Sequence, residues 1–318
     1  MKTGAFIVPT GIGASIGGYA GDAGVWAKKF AKKCTLLVNP NVVNAAGFSA
    51  ITDNMLYVEG YTLDSFFKGE CSLKQSSDNK IGVVFDKAIP QDVLNIHINT
   101  INAVKTVYGI NIISSEITEE EIGVEFYINK TGDSTGRIKN INTIKKASNK
   151  LLKNGADAIA IVCLFPEDNL NEDYQKGIGV DPVGGIEAII SHYISKELKV
   201  PCAHAPAFKD FSISTNIVSP KSASEYITPT FLPCILLGLN NAPQIYKYNR
   251  KYLCVDDLDF IIMPYNSIGC IPVLEMAKRN KTIYCVKENK TILDVTGMNF
   301  MNKCVIIKTY SELLELIW

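Results

Sequence analysis

Short apolar runs alternate along the chain with stretches of helical spacing. Residues 5–8 (AFIV), 35–38 (TLLV), 80–85 (KIGVVF), 157–165 (DAIAIVCLF), 258–263 (LDFIIM), 282–286 (TIYCV) and 304–308 (CVIIK) are apolar without strict alternation. That pattern predicts strands covered on both faces, as in a parallel sheet. Residues 23–33, 91–108, 143–154, 186–198, 272–280 and 311–317 predict helices between them. Strands alternating with helices at this rhythm indicate an α/β fold with a mostly parallel, doubly wound sheet and Rossmann-like halves. The strongest strand is 157–165, stopped by Pro166. Residues 110–114 and 122–128 are weaker strands, and a sheet edge or an excursion from the main sheet is expected there. The expected division is an N-terminal α/β domain, residues 1–140, carrying a glycine-rich loop, and a C-terminal α/β domain, residues 141–318.

The first apolar run feeds directly into that loop, AFIVPTGIGASIGGYAGD over residues 5–22. Glycines at such a junction let the backbone approach a ligand, and the amides of a following helix N-terminus favour an anion. No Lys lies between Gly4 and Trp26, so a phosphate or carboxylate would be held by the backbone amides from Thr10 to Gly18, those of Gly11, Gly13, Gly17 and Gly18 among them, with Thr10 and Ser15. Asp22 is either part of that site or a partner for the helix dipole. The spacing G-x-G-x-x-x-G is one residue longer than the dinucleotide fingerprint and lacks its acidic partner, which argues against a nicotinamide site. The competing reading is that the glycines only permit close helix-to-strand packing.

Three further clusters fall where strands should end. Asn39, Asn41 and Asn44, in NPNVVNAAGF, follow the strand 35–38 and are read either as ligand contacts or as turn formers. In DPVGGIE, Asp181 and Glu187 flank Gly184 and Gly185, a second loop-to-helix junction that would bind a cation or substrate hydroxyls, or would merely start a helix. Glu187 and His192 are five apart and do not share a helical face, so no metal pair is assigned. In PCAHAPA, Cys202 and His204 point to the same side of an extended segment. His204 is a candidate general acid/base and Cys202 a candidate nucleophile, against a buried thiol and a His satisfied by a backbone carbonyl. His97, on the helix 91–108, is expected to be a partly exposed helix residue.

Composition narrows the class. The chain has 318 residues, 32 basic and 32 acidic, with Arg only at 137, 250 and 279. This balance argues against a nucleic-acid partner. Nine cysteines without a C-x-x-C pair point to reduced, mostly buried thiols. No apolar run has membrane-spanning length and no signal-peptide pattern opens the chain, so the expectation is a cytoplasmic protein with no membrane partner. No metal is assigned, the cofactor is unknown, and a homo-oligomer is left open.

Read in order, PTGIGASIGGYAGDA, NPNVVNAA, LYVEGYTLD, GVDPVGGIEAIISH, PCAHAPA, SPKSASE and FLPCILLGL resemble the bacterial family called domain of unknown function 3326. The resemblance covers nearly the whole chain and implies little about mechanism. Two positions depart from the family's pattern: Leu164 stands where an Arg is usual, and Gly269-Cys270 where Cys-Gly-Gly is usual. Both departures weaken Cys163 and Cys270 as reactive groups and imply a different anion contact. The leading expectation is an enzyme acting on a small anionic metabolite at the C-terminal edge of the sheet. Isomerase, lyase, hydrolase and transferase chemistry all remain open. The competing expectation is a non-catalytic sensor or partner protein that binds a nucleotide or metabolite.

Overall fold

Each apolar run becomes a strand, and the strands assemble into two parallel sheets. The computed structural model describes residues 2–166, 172–210, 213–296 and 304–318. One sheet has six strands in the order Cys304–Ile307, Thr282–Val286, Phe260–Pro264, Lys2–Phe6, Cys34–Val38, Met55–Tyr57, all parallel. The other has four, in the order Cys202–Ala207, Ala158–Leu164, Ile81–Phe85, Ile112–Ile117, again all parallel. Helices flank both sheets, which is a Rossmann-like, doubly wound arrangement. Neither sheet is confined to one side of residue 140: the first takes strands from both ends of the chain, the second from the middle.

The lack of alternation in the strands has its reason in this layering, because successive side chains enter different cores. Ala5, Leu37, Ile261 and Ile283 pack with the helices Gly60–Lys68 and Ile271–Lys278. Phe6, Leu36, Val38 and Ile262, on the opposite face, share one apolar cluster with Ile81, Val83, Ala158, Ala160, Ala203 and Ala205 of the second sheet. The helix Leu232–Asn240 contributes Leu232, Ile235, Leu236 and Leu239 to that shared cluster. At about 1.5–3 kcal/mol per buried aliphatic side chain, this common core ties the two sheets together. Gly238 lets the helix approach closely, since a Cβ there would stand 2.6 Å from the Tyr57 ring. On its other face the second sheet packs Ile159, Ile161 and Cys202 against the helices Ile141–Lys153 and Gly184–Leu198.

The weakly patterned middle is an excursion. Val124–Ile128 and Ser134–Ile138 form an antiparallel hairpin outside both sheets, lying on the helix Gly184–Leu198. His97 is corrected: in the helix Gln91–Tyr108 it is fully buried, with Nδ1 2.9 Å from the Val93 carbonyl and its ring edge-on to Phe85. Among the described residues no helix is long and apolar enough to cross a membrane.

Candidate functional site

The carboxyl end of Cys34–Val38 in one sheet and that of Cys202–Ala207 in the other open into a single cleft of about 460 Å³. From the first sheet's side come Gly18, Tyr19, Asn41 and Asn44; from the second, His204, Pro206 and Phe208. The segment before and at the start of Gly184–Leu198 supplies Tyr174, Asp181 and Glu187, and the segment leading into Leu232–Asn240 supplies Glu225 and Phe231. The rim of strand ends is where open α/β sheets hold ligands, and a volume of this size suits a small molecule.

The polar lining is acidic. Asp181 Oδ1 accepts from the Val183 amide at 3.0 Å, yet burial raises its carboxyl against that help. Glu187, in the first turn of its helix, is only 7% exposed and its Oε1 has no hydrogen-bond partner. Burial, then the charges of Asp181 and Glu225, push it well above the usual carboxylate range. Glu225 accepts from the Tyr174 hydroxyl at 2.6 Å; burial and Asp181 nonetheless push it up to about 8. Asp210 adds a further carboxylate at the rim, and no Lys or Arg is among the described residues that line the cleft. Asn44 donates from Nδ2 to the Tyr57 hydroxyl at 3.0 Å, which leaves its buried Oδ1 without a donor. Aromatic pairs complete the walls: Tyr19 with Tyr174 at 4.5 Å between centroids, and Phe208 with Phe231 at 6.5 Å.

His204 lines the cleft with Nδ1 2.9 Å from the Ser191 hydroxyl. Ser191 stands one turn beyond Glu187, so one helix face presents both residues to the strand. Burial, with His192 nearby, pushes His204 down to about 3, so the ring is neutral at ordinary pH. Cys202 lies on the same side of the strand but inside the dry core, and burial pushes its thiol well above the usual range. It does not line the cleft, so the candidate nucleophile is a buried thiol that is not presented beside His204 there.

The glycine loop is corrected more thoroughly. Three of the amides expected to cradle an anion already donate within the protein: Ser15 to the Lys290 carbonyl at 2.7 Å, Ile16 to Asn289 Oδ1 at 3.0 Å, and Gly17 to Asp22 Oδ1 at 2.5 Å. Ser15 Oγ donates to the Glu288 carbonyl at 3.1 Å and its carbonyl accepts from Lys221 Nζ at 2.7 Å. The Gly11 carbonyl accepts from the Ser134 amide at 3.0 Å, and Gly13 fits between Val180 and Ile292. The loop is thus a strut, and of its glycines Gly18, with a left-handed φ of 66°, reaches the cleft. The amides of Ser15, Ile16 and Gly17 are taken up by the protein itself, and the cleft beyond the loop is lined by Asp181, Glu187 and Glu225.

The remaining candidates divide the same way. Asn41 faces the cleft while donating to the Pro9 carbonyl at 3.1 Å and to Thr10 Oγ1 at 3.2 Å, so Thr10 acts through Asn41. Asn39 is buried and ties two strand ends, accepting from the Val8 amide at 3.0 Å and donating to the Val8 carbonyl at 2.7 Å. Gly184 and Gly185 are packing positions: a Cβ on Gly185 would collide with the Ser134 backbone, and its amide donates to Ser134 Oγ at 2.9 Å. His192 Nε2 sits 3.5 Å from Glu59 Oε2, away from Glu187 as the spacing implies. No group of three or more metal-ligating side chains is assembled among the described residues. Tyr19, Tyr174, Glu225 and Phe231 were not identified from the sequence. Tyr19 lies within PTGIGASIGGYAGDA, Glu225 within SPKSASE, and Phe231 opens FLPCILLGL, so three of the resemblance motifs contain one each.

A family model described as a protein of unknown function, DUF3326, matches residues 3–318. A Synechococcus sp. protein named an uncharacterized lipoprotein is 38% identical over 300 residues, covering 92% of this chain and 83% of its own length. No solved structure matches the chain. The name of the Synechococcus relative overturns the expectation of a cytoplasmic protein with no membrane partner. Charge balance and the lack of a long apolar helix describe a folded domain, and they hold equally for a domain tethered by acyl chains.

Proposed function

The chain belongs to the DUF3326 family, and from that premise we propose that it is a small-molecule-binding protein whose ligand occupies the cleft between the two sheets. One observation carries the reading. Strand ends from two separate sheets share a cavity of about 460 Å³, and two residues that line it, Glu187 and Asn44, each keep a buried oxygen, Oε1 and Oδ1, without a protein partner. Leaving a buried acceptor unsatisfied costs about 1–3 kcal/mol, and a bound molecule that donates to it removes that cost. Native mass spectrometry of the purified protein tests the proposal. The expected result is an adduct or a library hit that raises the melting temperature in the wild type and is lost in Ser214→Trp, which fills the cleft from its rim. Binding that persists unchanged in Ser214→Trp, or no ligand from a broad metabolite library, overturns it.

A second reading, acid/base catalysis in the same cleft, is favoured by Glu187 and Glu225 held toward their protonated forms beside a His204 held neutral. Groups pushed to opposite sides of neutrality are how acid and base roles are separated in enzymes. His204→Ala distinguishes the two: turnover of the bound ligand that disappears with affinity retained supports catalysis, and a change in affinity alone supports binding.

A further inference from the structure

We infer that the molecule bound in this cleft is a small organic cation carrying an ammonium group, held by Glu187 and Glu225 and flanked by aromatic rings. The inference rests on the reading of the cleft as a ligand site and adds the ligand's chemistry to it. Asp181, Glu187, Asp210 and Glu225 all line the cavity, and no Lys or Arg among the described residues lines it with them. An arriving phosphate or carboxylate would meet carboxyl groups and no cationic side chain among the described lining residues. A neutral ligand would bring no positive charge to offset the burial that holds Glu187 and Glu225 toward their acid forms.

The acid cluster does not stand alone. Glu187 is 7% exposed and keeps Oε1 without a partner, a lone acceptor in the cavity wall. Asn44 Oδ1 is a second acceptor in the same condition. Both call for a donor, and an ammonium brings three donors with the charge that the carboxylates lack. The Tyr19–Tyr174 and Phe208–Phe231 pairs offer the ring faces that attract an organic cation. A bare metal ion fits less well, because no set of three or more ligating side chains converges among the described residues.

Proton linkage follows from the same groups. Glu187 faces Asp181 and Glu225; Glu225 faces Asp181 and the hydroxyl of Tyr174; Tyr19, His204 and Cys234 close the cavity around them. Held toward their acid forms when the cleft is empty, the two glutamates give up protons when a cation arrives. Binding therefore releases protons and tightens as pH rises from 6 to 8.

Isothermal titration of the whole protein with two shape-matched sets tests this: benzylammonium, benzyl alcohol and benzoate; 1,4-diaminobutane, butane-1,4-diol and succinate. The expected result is that at least one ammonium binds at least tenfold more tightly than its alcohol, with no binding by the carboxylates. Its heat should depend on the ionisation enthalpy of the buffer, as proton release demands. Glu187→Gln and Glu225→Gln should each weaken it at least tenfold with the fold intact by circular dichroism, and Ser214→Trp should abolish it. Tighter binding of an alcohol or a carboxylate that Ser214→Trp removes overturns the cation and leaves the ligand site standing. Failure of every ammonium overturns the cation outright. If, in addition, no co-purified or library ligand is found, the site itself is lost.

Discussion

The two loop-to-helix junctions of this protein look alike in sequence and behave oppositely in the fold. Residues 9–22 and residues 177–187 are both glycine-rich, both carry an Asp, and both run into a helix. At the first, the polar groups are occupied: Asp22 takes the Gly17 amide, Asn289 takes the Ile16 amide, and Ser15 bridges to the segment around Lys290. At the second, the glycines are just as tightly packed, yet the chain delivers Asp181 and Glu187 to the wall of the cleft, and Glu187 Oε1 stays unpaired. Glycine spacing reports that the backbone comes close to something. Whether that something is protein or ligand is told by the polar groups left over once the protein's own bonds are counted.

The strongest way to break this contrast is at Gly185. A branched side chain there runs into the Ser134 backbone of the hairpin, and no rotamer avoids a contact made by the Cβ itself. Gly185→Val is expected to destabilise by about 3 kcal/mol or more, a fall of roughly 4–5 °C or more in melting temperature by calorimetry. A variant that melts like the wild type would mean that the hairpin is not packed there. Next in size is Asp22→Ala, which leaves the Gly17 amide without its acceptor at 2.5 Å. The expectation is a loss of about 1–3 kcal/mol in denaturant unfolding with ligand affinity within twofold of wild type. Lost affinity at unchanged stability would return the glycine loop to the role of ligand cradle.

Most elements were legible in the sequence and their partnership was not. The helix Gln91–Tyr108 and the strand Thr282–Val286 agree with their sequence patterns residue for residue, because each pattern is local. The division into two sheets depends on pairings such as Gly4 with Phe260, between residues at opposite ends of the chain, and no local pattern encodes these. The cleft shows the same limit. Asn41, Asn44, Asp181, Glu187 and His204 were legible as polar residues after strand ends, and they do meet. That the Ser15 and Ile16 amides serve as struts was not legible, because Asn289 and Lys290, which occupy them, come from a distant segment. Glu225 escaped notice because its partner Tyr174 and its neighbour Asp181 lie in other segments of the chain.

The buried carboxyl groups that line the cleft also set a pH dependence. Glu225 is pushed up to about 8 by burial in the folded protein and returns to about 4.3 when unfolded. Between those values the folded state holds the extra proton, so stability falls as pH rises from about 4.3 to 8. Glu225→Gln removes this slope and should flatten the melting profile between pH 5 and 9. The effect is on the order of 1–3 kcal/mol, after discounting for the partial exposure of the group. A profile as steep as the wild type's would assign the slope to Glu187 instead.

The smallest expected change is at Ser191, and it separates two causes of one property. His204 titrates at about 3 when folded and near 6.5 when unfolded, so in that interval the unfolded chain takes up the proton and stability falls as pH drops from 6.5 toward 3. Burial is the first cause of the shift, and the Ser191 hydroxyl at 2.9 Å only orients the ring. Ser191→Ala should therefore cost about 0.5–1.5 kcal/mol at neutral pH and leave the acid limb of the stability curve in place. Nitrogen-15 spectra of the ring should report a changed tautomer balance with no imidazolium at pH 6. An imidazolium signal there would mean that Ser191, and not the dry wall of the cleft, keeps His204 neutral.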